Sequence, residues 1–348
     1  MQTPSDRSQS LFPAQRASAG WRHLVLGLVA ISVVLMSAPG SVLAQDFVRA
    51  WPAKPVMLIL PLTPGSGVET EARLYTQKLS ENLGKSFLLD FKPGGATTIA
   101  TAHVAKASPD GYTLLATTAS FSQAAVLQRD LSYDPIKDLT PLTMMSRWPS
   151  ILVASTHLPV KSATEYIAHA KANPGKINFG SYGAGSGPHV GAIWLHSLVG
   201  THVTYVHYKG TPPLQLDLIA GRIDAGTGTF TSFIPLHRAG KLRILSVSTP
   251  QRVQAYPEFP TLAESGVPGY DYGNWWALFG PGRMLPALAN RISGEFVKAG
   301  KTPAVQKKMA DDGFIMTMTT PEEFRKELIA EIARMRKIVV DNNIKAEE

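Results

Sequence analysis

The chain has no cysteine among its 348 residues, which excludes disulfides, thiolate metal sites and cysteine nucleophiles together. It also carries little charge, because 17% of its residues are charged whereas 44% are hydrophobic. A disordered chain would show the opposite balance, so disorder is excluded. Neither a Gly-X-Y repeat nor a long heptad run is present, which excludes collagen and coiled coils. The length is about twice the ~150 residues typical of one domain and predicts two domains.

Sequence signatures of common catalytic sites are missing as well. The chain has no Gly-x-Ser-x-Gly elbow, Walker A loop, His-Glu-x-x-His helix or dinucleotide-binding Gly-x-Gly-x-x-Gly. Its nine histidines show no i, i+4 pair beside a carboxylate, so we predict no metal site and no cofactor. The main expectation is a protein that performs no chemistry. One enzyme class stays open, a secreted hydrolase that uses Ser186 and His189, although the local sequence offers them no acidic partner.

Residues 1–44 are predicted to be a cleaved secretory signal peptide. A polar stretch with three arginines precedes a 13-residue apolar run over 24–36, and small and helix-breaking residues follow up to Ala44. This order of segments is typical of export signals, with cleavage expected between Ala44 and Gln45. A membrane anchor is the alternative, but 13 apolar residues are too few to cross about 30 Å of hydrocarbon.

The positive charge of the chain does not indicate nucleic-acid binding. The formal charge is +8, from 34 basic and 26 acidic residues. Residues 1–44 hold three arginines and one aspartate, which leaves 31 basic and 25 acidic residues, a net +6, in the remaining 304. These basic residues are dispersed, with no run of Lys and Arg interleaved with aromatics, so we expect no nucleic-acid partner. A mild positive field instead favours the approach of small anions.

After residue 50, short apolar runs alternate with helical patterns, which predicts βαβ units and an α/β fold of mostly parallel sheets flanked by helices. Strands are predicted at 56–60, 87–91, 112–117, 151–154, 177–181, 203–207, 222–225 and 242–248. Helices are predicted at 68–83, 97–107, 162–173, 188–199, 212–220, 231–239 and 320–340. Ser162 with Glu165, and Thr320 with Glu323, match capping boxes at the starts of two of them. The two series of elements suit two α/β domains with a cleft between them.

Three predicted strand-to-helix loops, at 62–67, 117–120 and 181–189, combine small residues, hydroxyls and free backbone N–H groups. Such donors at the positive end of a helix dipole form a generic anion site, and ligands of open α/β sheets lie at the carboxyl ends of strands. None of the loops contains Lys or Arg, which suits a carboxylate held reversibly by neutral donors and waters. The alternative is that the glycines only make tight turns. In the second loop, the candidate ligand contacts are Thr118 and Ser120.

The adjacent tryptophans Trp275 and Trp276 lie in a predicted strand and therefore face opposite sides of it. We expect one of them in the core and the other towards the cleft, with Trp275 as the candidate ligand contact. Glu69 ends the pattern Ser66-Gly-Val-Glu69 and is predicted to cap its own helix rather than to touch ligand.

Distinctive stretches follow one another along the chain. They are Trp51-Pro52-Ala53-Lys54-Pro55, Ala105-Lys106-Ala107-Ser108-Pro109-Asp110-Gly111-Tyr112, Leu158-Pro159-Val160-Lys161-Ser162, Gly185-Ser186-Gly187-Pro188-His189, Tyr208-Lys209-Gly210 and Pro260-Thr261-Leu262-Ala263-Glu264-Ser265-Gly266. In this order they resemble the solute-binding proteins of tripartite tricarboxylate transporters, the Bug-type extracytoplasmic receptors. The resemblance covers nearly the whole chain after the predicted signal peptide.

The resemblance implies a two-domain Venus-flytrap fold, with domain 1 at about 46–148 and 270–348 and domain 2 at about 149–269. It implies a periplasmic receptor that captures a small carboxylate and delivers it to integral membrane permease subunits, and we expect a monomer. In this family the first loop and the glycine loop hold a ligand carboxylate, partly through bridging waters. By position, the resemblance implicates Thr63, Ser66, Gly67, Tyr182, Gly183, Ser186 and His189. A receptor that presents its closed state to a membrane signalling protein stays open as an alternative.

The chain departs from the family in residues that bear on the ligand. Its first loop reads Pro64-Gly65-Ser66-Gly67-Val68-Glu69, where the family usually has Pro-Gly-Gly-Gly-Thr-Asp. An acid often follows the strand near residue 224 in the family, whereas this chain has Gly228 and then Thr229, a further candidate contact. This difference argues against an amino acid whose ammonium group needs a partner. An aromatic or bulky carboxylate is favoured by Phe121, Tyr182 and Trp275; a dicarboxylate is the alternative.

Overall fold

The computed structural model describes residues 39–62, 64, 67–128, 130–181, 186–208 and 210–344. Two compact units are distinguished, residues 1–50 and residues 51–348. The described part of the first unit is a helix, α1 (Pro39–Ala50). The rest of the predicted signal peptide lies outside the described residues, and its cleavage stays a prediction. Among the helices that the structure describes, none is both long and apolar enough to cross a membrane.

The second unit alternates strands and helices along most of its length. Its strands are β1 (Val56–Leu60), β2 (Phe87–Phe91), β3 (Thr113–Thr118), β4 (Leu139–Pro149), β5 (Ile151–Ser155), β6 (Asn178–Ser181), β7 (Thr204–His207), β8 (Ala225–Gly228), β9 (Leu242–Val247), β10 (Gly273–Pro281) and β11 (Ile315–Met316). Its helices are α2 (Gly67–Leu83), α3 (Thr98–Ala105), α4 (Ser120–Leu127), α5 (Ala163–Ala172), α6 (Gly187–Val199), α7 (Thr211–Ile219), α8 (Phe230–Arg238), α9 (Pro286–Gly300), α10 (Pro303–Asp311) and α11 (Pro321–Asp341).

The strands form two helix-flanked sheets, which confirms the predicted α/β fold. The first sheet has the order β11–β4–β10–β3–β1–β2, with β1 parallel to β2 and β3 and the other neighbours antiparallel. The second has the order β7–β6–β8–β5–β9, with β6 parallel to β7 and β8, and β5 antiparallel to both of its neighbours. The sheets are thus mixed rather than mostly parallel. The reason is that the chain reaches β5 and β10 from the other sheet. Each of these strands therefore starts at the edge where its neighbours end, and is antiparallel to them.

Strands β4 and β8 differ from the sequence-based prediction, and the two-residue strand β11 was not predicted either. Strand β4 was not predicted, because its prolines, threonines, serine and arginine interrupt the apolar pattern, yet pairing on both sides with β10 and β11 buries most of it. Strand β8 begins three residues later than expected and contains Gly226 and Gly228, which are weak strand formers. A Cβ on Gly226 would lie 3.0 Å from the carbonyl oxygen of Gly180, so a glycine here allows close approach of the two strands.

Helix starts follow local sequence patterns. At the start of α5, the Ser162 hydroxyl accepts a hydrogen bond from the backbone N–H of Glu165 at 3.1 Å. At the start of α11, Thr320 and Glu323 form both hydrogen bonds of a capping box. Both caps are predicted from the sequence because their bonds join residues three positions apart.

Helix α11 packs against the cores of both sheets. Its first half contributes Phe324, Leu328 and Ile332 to a cluster with residues of the first sheet. Its second half contributes Met335 and Ile338 to a cluster with residues of the second sheet. The helix therefore links the two halves of the unit, and the division into two domains at the boundaries given above stays a prediction.

Candidate functional site

The carboxyl edges of the two sheets meet at the connection between β4 and β5. Both β3 and β4 are antiparallel to β10 and so end at the same edge of the first sheet, as β1 does. Strand β5 is antiparallel to β8 and therefore starts at the edge where β8 ends. Ser150 alone separates β4 from β5. The strand ends at which α/β proteins bind their ligands consequently lie next to each other.

On the second sheet, three parallel strands end side by side. Strand β6 ends at Ser181, β7 at His207 and β8 at Gly228, and Ser181 is paired with His207. The Ser181 hydroxyl lies 3.0 Å from Nδ1 of His207. Helices α6 and α8 begin shortly after β6 and β8, so this edge carries two helix N-termini.

The start of α6 contains two of the predicted site residues. Ser186 is the N-cap, and its hydroxyl accepts a hydrogen bond from the backbone N–H of His189 at 3.4 Å. The imidazole of His189 is buried, and its centroid lies 4.9 Å from Tyr205 and 4.6 Å from His207, edge to face in both pairs. The serine hydroxyl therefore caps the helix, while neighbouring rings hold the imidazole in place.

A buried histidine that the sequence analysis did not single out positions Tyr205. The ring nitrogens of His196 each lie 2.9 Å from a tyrosine hydroxyl, Nε2 from Tyr166 and Nδ1 from Tyr205. Burial lowers the pKa of His196 from 6.5 to about 4, so the ring is neutral at neutral pH. His196 follows His189 by seven residues, close to two helical turns, and this spacing in the sequence indicates a shared helix face.

We expect acid to destabilise the protein through His196. The unfolded chain protonates this imidazole below pH 6.5 and the folded chain only below about pH 4. The stability that it contributes is therefore present above pH 6.5 and lost as the pH falls to 4, by up to ~3 kcal/mol at about 1.4 kcal/mol per pH unit. Urea unfolding between pH 4 and 7 should show a smaller loss for His196→Gln than for wild type. The control His202→Gln, at an exposed position, should show the wild-type dependence of the free energy of unfolding on pH. The same dependence in all three proteins would show that His196 does not cause the loss of stability in acid.

On the first sheet, β3 ends at Thr118 and α4 begins at Ser120, so both predicted contacts of the second loop lie at this strand-to-helix turn. Thr118 is buried and paired with Trp276 of β10, whereas Ser120 is partly exposed. Gly67 is the first residue of α2. Four further predicted contacts lie outside the described residues, and their roles stay predictions: Thr63, Ser66, Tyr182 and Gly183.

A contact between α4 and α6 brings two of the three predicted loops together. The hydroxyl of Tyr272 donates to the carbonyl oxygen of Gly187 at 2.6 Å, and Nε2 of Gln123 lies 3.5 Å from that hydroxyl. A Cβ on Gly187 would lie 2.0 Å from Nε2 of Gln123, so a glycine lets the first turn of α6 approach α4. Burial raises the pKa of Tyr272, which keeps its hydroxyl a neutral donor. Sequence patterns did not reveal this contact, because Gln123 and Tyr272 are 149 positions apart.

A cavity of about 300 Å³ lies beside the start of α8. Thr229, a predicted site residue, is the N-cap of this helix, and its Oγ1 lies 3.1 Å from Oγ1 of Thr231 and 3.3 Å from Oγ of Ser232. The other lining residues come from the end of β4, the start of α8 and the turn before β11, and they are Trp148, Pro149, Phe230, Asp312, Gly313 and Phe314. The cavity therefore combines hydroxyls at a helix N-terminus with aromatic surface.

Trp275 and Trp276 are both buried, and neither lines this cavity. The indole N–H of Trp275 donates to the two carboxylate oxygens of Glu331, at 3.0 and 2.9 Å. Phe121 is also buried, with its ring centroid 4.8 Å from that of Phe279. A direct role of Trp275 in binding stays a prediction. The aromatic surface of the cavity comes from residues that the sequence analysis did not single out, namely Trp148, Phe230 and Phe314.

Comparison with known proteins gives the family of the chain. The family model described as the tripartite tricarboxylate transporter family receptor matches residues 71–344. The chain belongs to this receptor family. Among curated relatives of the receptor, Protein BugT of Bordetella pertussis is 28% identical over 320 residues, which are 91% of this chain and 98% of BugT. The resemblance to Bug-type receptors that the sequence shows is thereby confirmed.

Two solved structures are similar to this tripartite tricarboxylate transporter family receptor. An R. palustris protein solved with adipate is 30% identical, with a TM-score of 0.72, and the match covers 85% of this chain and 100% of that one. MatC from Rhodopseudomonas palustris, solved with bound malate, is 26% identical, with a TM-score of 0.68, over 83% of this chain and 100% of MatC. Within the described part of the receptor, no group of three or more His, Cys, Asp or Glu side chains is placed to hold a metal ion.

Proposed function

We propose that this receptor works in the periplasm, captures a small carboxylate between the two sheets, and delivers it to the membrane permease of a tripartite tricarboxylate-type transporter. The observation that carries the proposal is the meeting of the two carboxyl edges, each with helix N-termini, at the connection from β4 to β5. Helix N-termini bind an anion through backbone N–H groups and the helix dipole, without a basic side chain. The relatives solved with adipate and malate support a carboxylate as that anion.

The lining of the cavity supports a carboxylate with an aromatic or bulky body. Its volume of about 300 Å³ is sufficient for a small ligand. The carboxylate would accept hydrogen bonds from Ser186, from Thr229 and from the first N–H groups of α6 and α8. The body of the ligand would pack on Trp148 and Phe314. Among the described residues that line the cavity there is no Lys or Arg to bind a second carboxylate, and Asp312, although paired with Lys308, carries a negative charge. An aromatic monocarboxylate is therefore the first candidate and a dicarboxylate the second.

The family of the chain supports a receptor that is not an enzyme, because the matching family model is that of a transporter receptor. The Ser186 hydroxyl accepts the backbone N–H of His189 as a helix cap, and the His189 ring packs edge to face against two other rings. These are the contacts of a well-ordered helix start, which suits binding.

We propose that the receptor closes over its ligand as a monomer of two domains, at about 46–148 with 270–348 and at about 149–269. The chain crosses between the sheets at residue 150 and again between β9 and β10, which supports a hinge at these two crossings. Contacts that the ligand makes only in the closed state would favour closure. The scheme requires no cofactor and no nucleic acid.

Titration calorimetry and thermal unfolding with a panel of carboxylates test this function. We expect at least one of benzoate, phthalate, adipate and malate to bind and to raise the melting temperature, because a ligand that binds only the folded state stabilises it. A duplex DNA should produce neither effect. If none of the four acids gave a binding heat or raised the melting temperature, the proposal would be contradicted.

Ser186→Ala is expected to lower the affinity of the receptor for the tightest-binding of these four acids at least tenfold. The hydroxyl lies at the start of α6, and a hydrogen bond to a charged group contributes about 1.5–3 kcal/mol. The matched control is Ser197→Ala, an exposed position near the end of the same helix, which should bind as wild type does. If calorimetry gave the two variants equal affinities, Ser186 would not contact the ligand.

A further inference from the structure

Glu71 is a buried carboxyl group that the proposed function does not use. It lies in the second turn of α2 and is 1% exposed. Its Oε1 accepts a hydrogen bond from the hydroxyl of Ser146 on β4 at 2.7 Å, and its Oε2 has no hydrogen-bond partner in the described part of the chain. An ionised carboxylate is costly in such surroundings unless a cation pairs with it. Burial raises the pKa of Glu71 from 4.5 to about 8, with Ser146 opposing the shift and Asp312 adding to it.

Among the described residues, no cation is paired with the Glu71 carboxyl. Tyr75, one helical turn further along α2, also has a buried hydroxyl without a partner among the described residues, and burial and Glu71 both raise the pKa of Tyr75. Trp276 of β10 is paired with Ser146 and packs on Tyr75, with ring centroids 5.3 Å apart. From the end of α10, Asp312 contributes a negative charge. Asp312 is itself paired with Lys308 of α10, so its effect on Glu71 adds to the larger effect of burial.

Glu71 lies close to two parts of the candidate site. Helix α2 begins at Gly67, directly after the first predicted loop, and four residues at about 1.5 Å each place Glu71 about 6 Å along the axis from that start. On β4, Ser146 and Trp148 are two residues apart and so share one face of the sheet. Trp148 and Asp312 both line the cavity of about 300 Å³. A charge on Glu71 would therefore act on an anion bound at this edge.

We propose that Glu71 is held as the neutral acid next to the carboxylate site, and that its ionisation expels the bound anion. The proposal rests on the proposed function. Two negative charges close together in a medium of low dielectric constant repel each other strongly. Above the pH at which Glu71 ionises in the empty receptor, capture of a carboxylate must therefore take up one proton from the solvent, which converts Glu71 from carboxylate to carboxylic acid.

Titration calorimetry with benzoate and with adipate at pH 6.5, 7.5, 8.5 and 9.5 tests the proposal. Both acids are fully ionised over this range, so a change in affinity reports on the protein. Wild type should lose at least tenfold in affinity between pH 6.5 and 9.5, whereas Glu71→Gln, which keeps an acceptor for Ser146, should change less than twofold. Glu81→Gln, an exposed carboxyl near the end of the same helix, should keep the wild-type profile.

A second variant keeps the test decisive if Glu71→Gln does not fold. Ser146→Ala removes the hydrogen bond that favours the charged form of Glu71, so the loss of affinity should move to higher pH. Affinity that is independent of pH in wild type, or that falls equally in wild type and Glu71→Gln, would overturn the role of Glu71 and leave the receptor function intact. Failure of wild type to bind either acid, or phthalate or malate, at any pH would overturn both.

Discussion

Gly191→Ala is expected to weaken carboxylate binding at least tenfold and to lower the free energy of unfolding by about 1–3 kcal/mol. Gly191 lies in the second turn of α6, and a Cβ there would lie 2.4 Å from Cδ1 and 2.6 Å from Cε1 of Tyr272. The Tyr272 ring is buried, and its hydroxyl is bonded to the carbonyl oxygen of Gly187. The ring must therefore move together with the start of α6, and this displacement should carry Ser186 out of position.

Gly294→Ala is the matched control for this substitution. Gly294 also lies inside a helix, α9, but an added Cβ there would meet no described atom within 4 Å. Alanine at such a position should stabilise the protein by about 0.5–1 kcal/mol, since glycine is the poorer helix former. Urea unfolding and calorimetry on both variants should thus show opposite changes in stability and weaker binding for Gly191→Ala alone. If stability and affinity fell in both variants, or in neither, Tyr272 would not be the residue that positions α6.

Glu71→Gln is expected to remove most of the loss of stability that wild type shows as the pH rises. In the folded protein the pKa of Glu71 is about 8, against 4.5 for its ordinary value. The unfolded chain therefore releases this proton first, so the stability is present in full below pH 4.5 and lost as the pH rises to about 8. The loss amounts to up to ~5 kcal/mol in all, with ~2 kcal/mol of it above pH 6.5. No ligand is needed for this measurement, so it is independent of the receptor function.

Urea unfolding of wild type and Glu71→Gln from pH 6.5 to 8.5 isolates this contribution, because His196 is neutral in the folded chain over this range and contributes equally to both proteins. Burial also raises the pKa of Glu331. Glu331 therefore also lowers the free energy of unfolding as the pH rises, equally in wild type and variant. The difference between the two slopes therefore reports on Glu71. Glu81→Gln should retain the wild-type slope, and a wild-type slope in Glu71→Gln would mean that this carboxyl is already ionised in the fold.

The parts of the fold that sequence patterns predict are those set by neighbouring residues. The caps of α5 and α11 depend on side chains three positions from their partners, and both form as expected. Strand β1 reads as an apolar run and is buried. The sequence resemblance also implies the receptor family, which the family model confirms over residues 71–344.

The parts that sequence patterns miss depend on contacts between distant residues. Strand β4 is a strand because β10 and β11 pair with it, although its own residues do not alternate in polarity. The contact of Gln123 with Tyr272 and the burial of Trp275 arise only when distant segments pack together. Glu71 could have been noticed, since it precedes Tyr75 by four residues and thus lies on the apolar face of α2.

A crystal structure of the receptor with its tightest-binding acid would show directly where the carboxylate is held. We expect one carboxylate group at the meeting of the two sheet edges, with its oxygens about 2.7–3.2 Å from donors at the helix N-termini near Ser186 or Thr229. The body of the ligand should lie against Trp148 and Phe314. A ligand bound away from both sheet edges, or one held there without its carboxylate on these donors, would show that the helix N-termini are not the binding site.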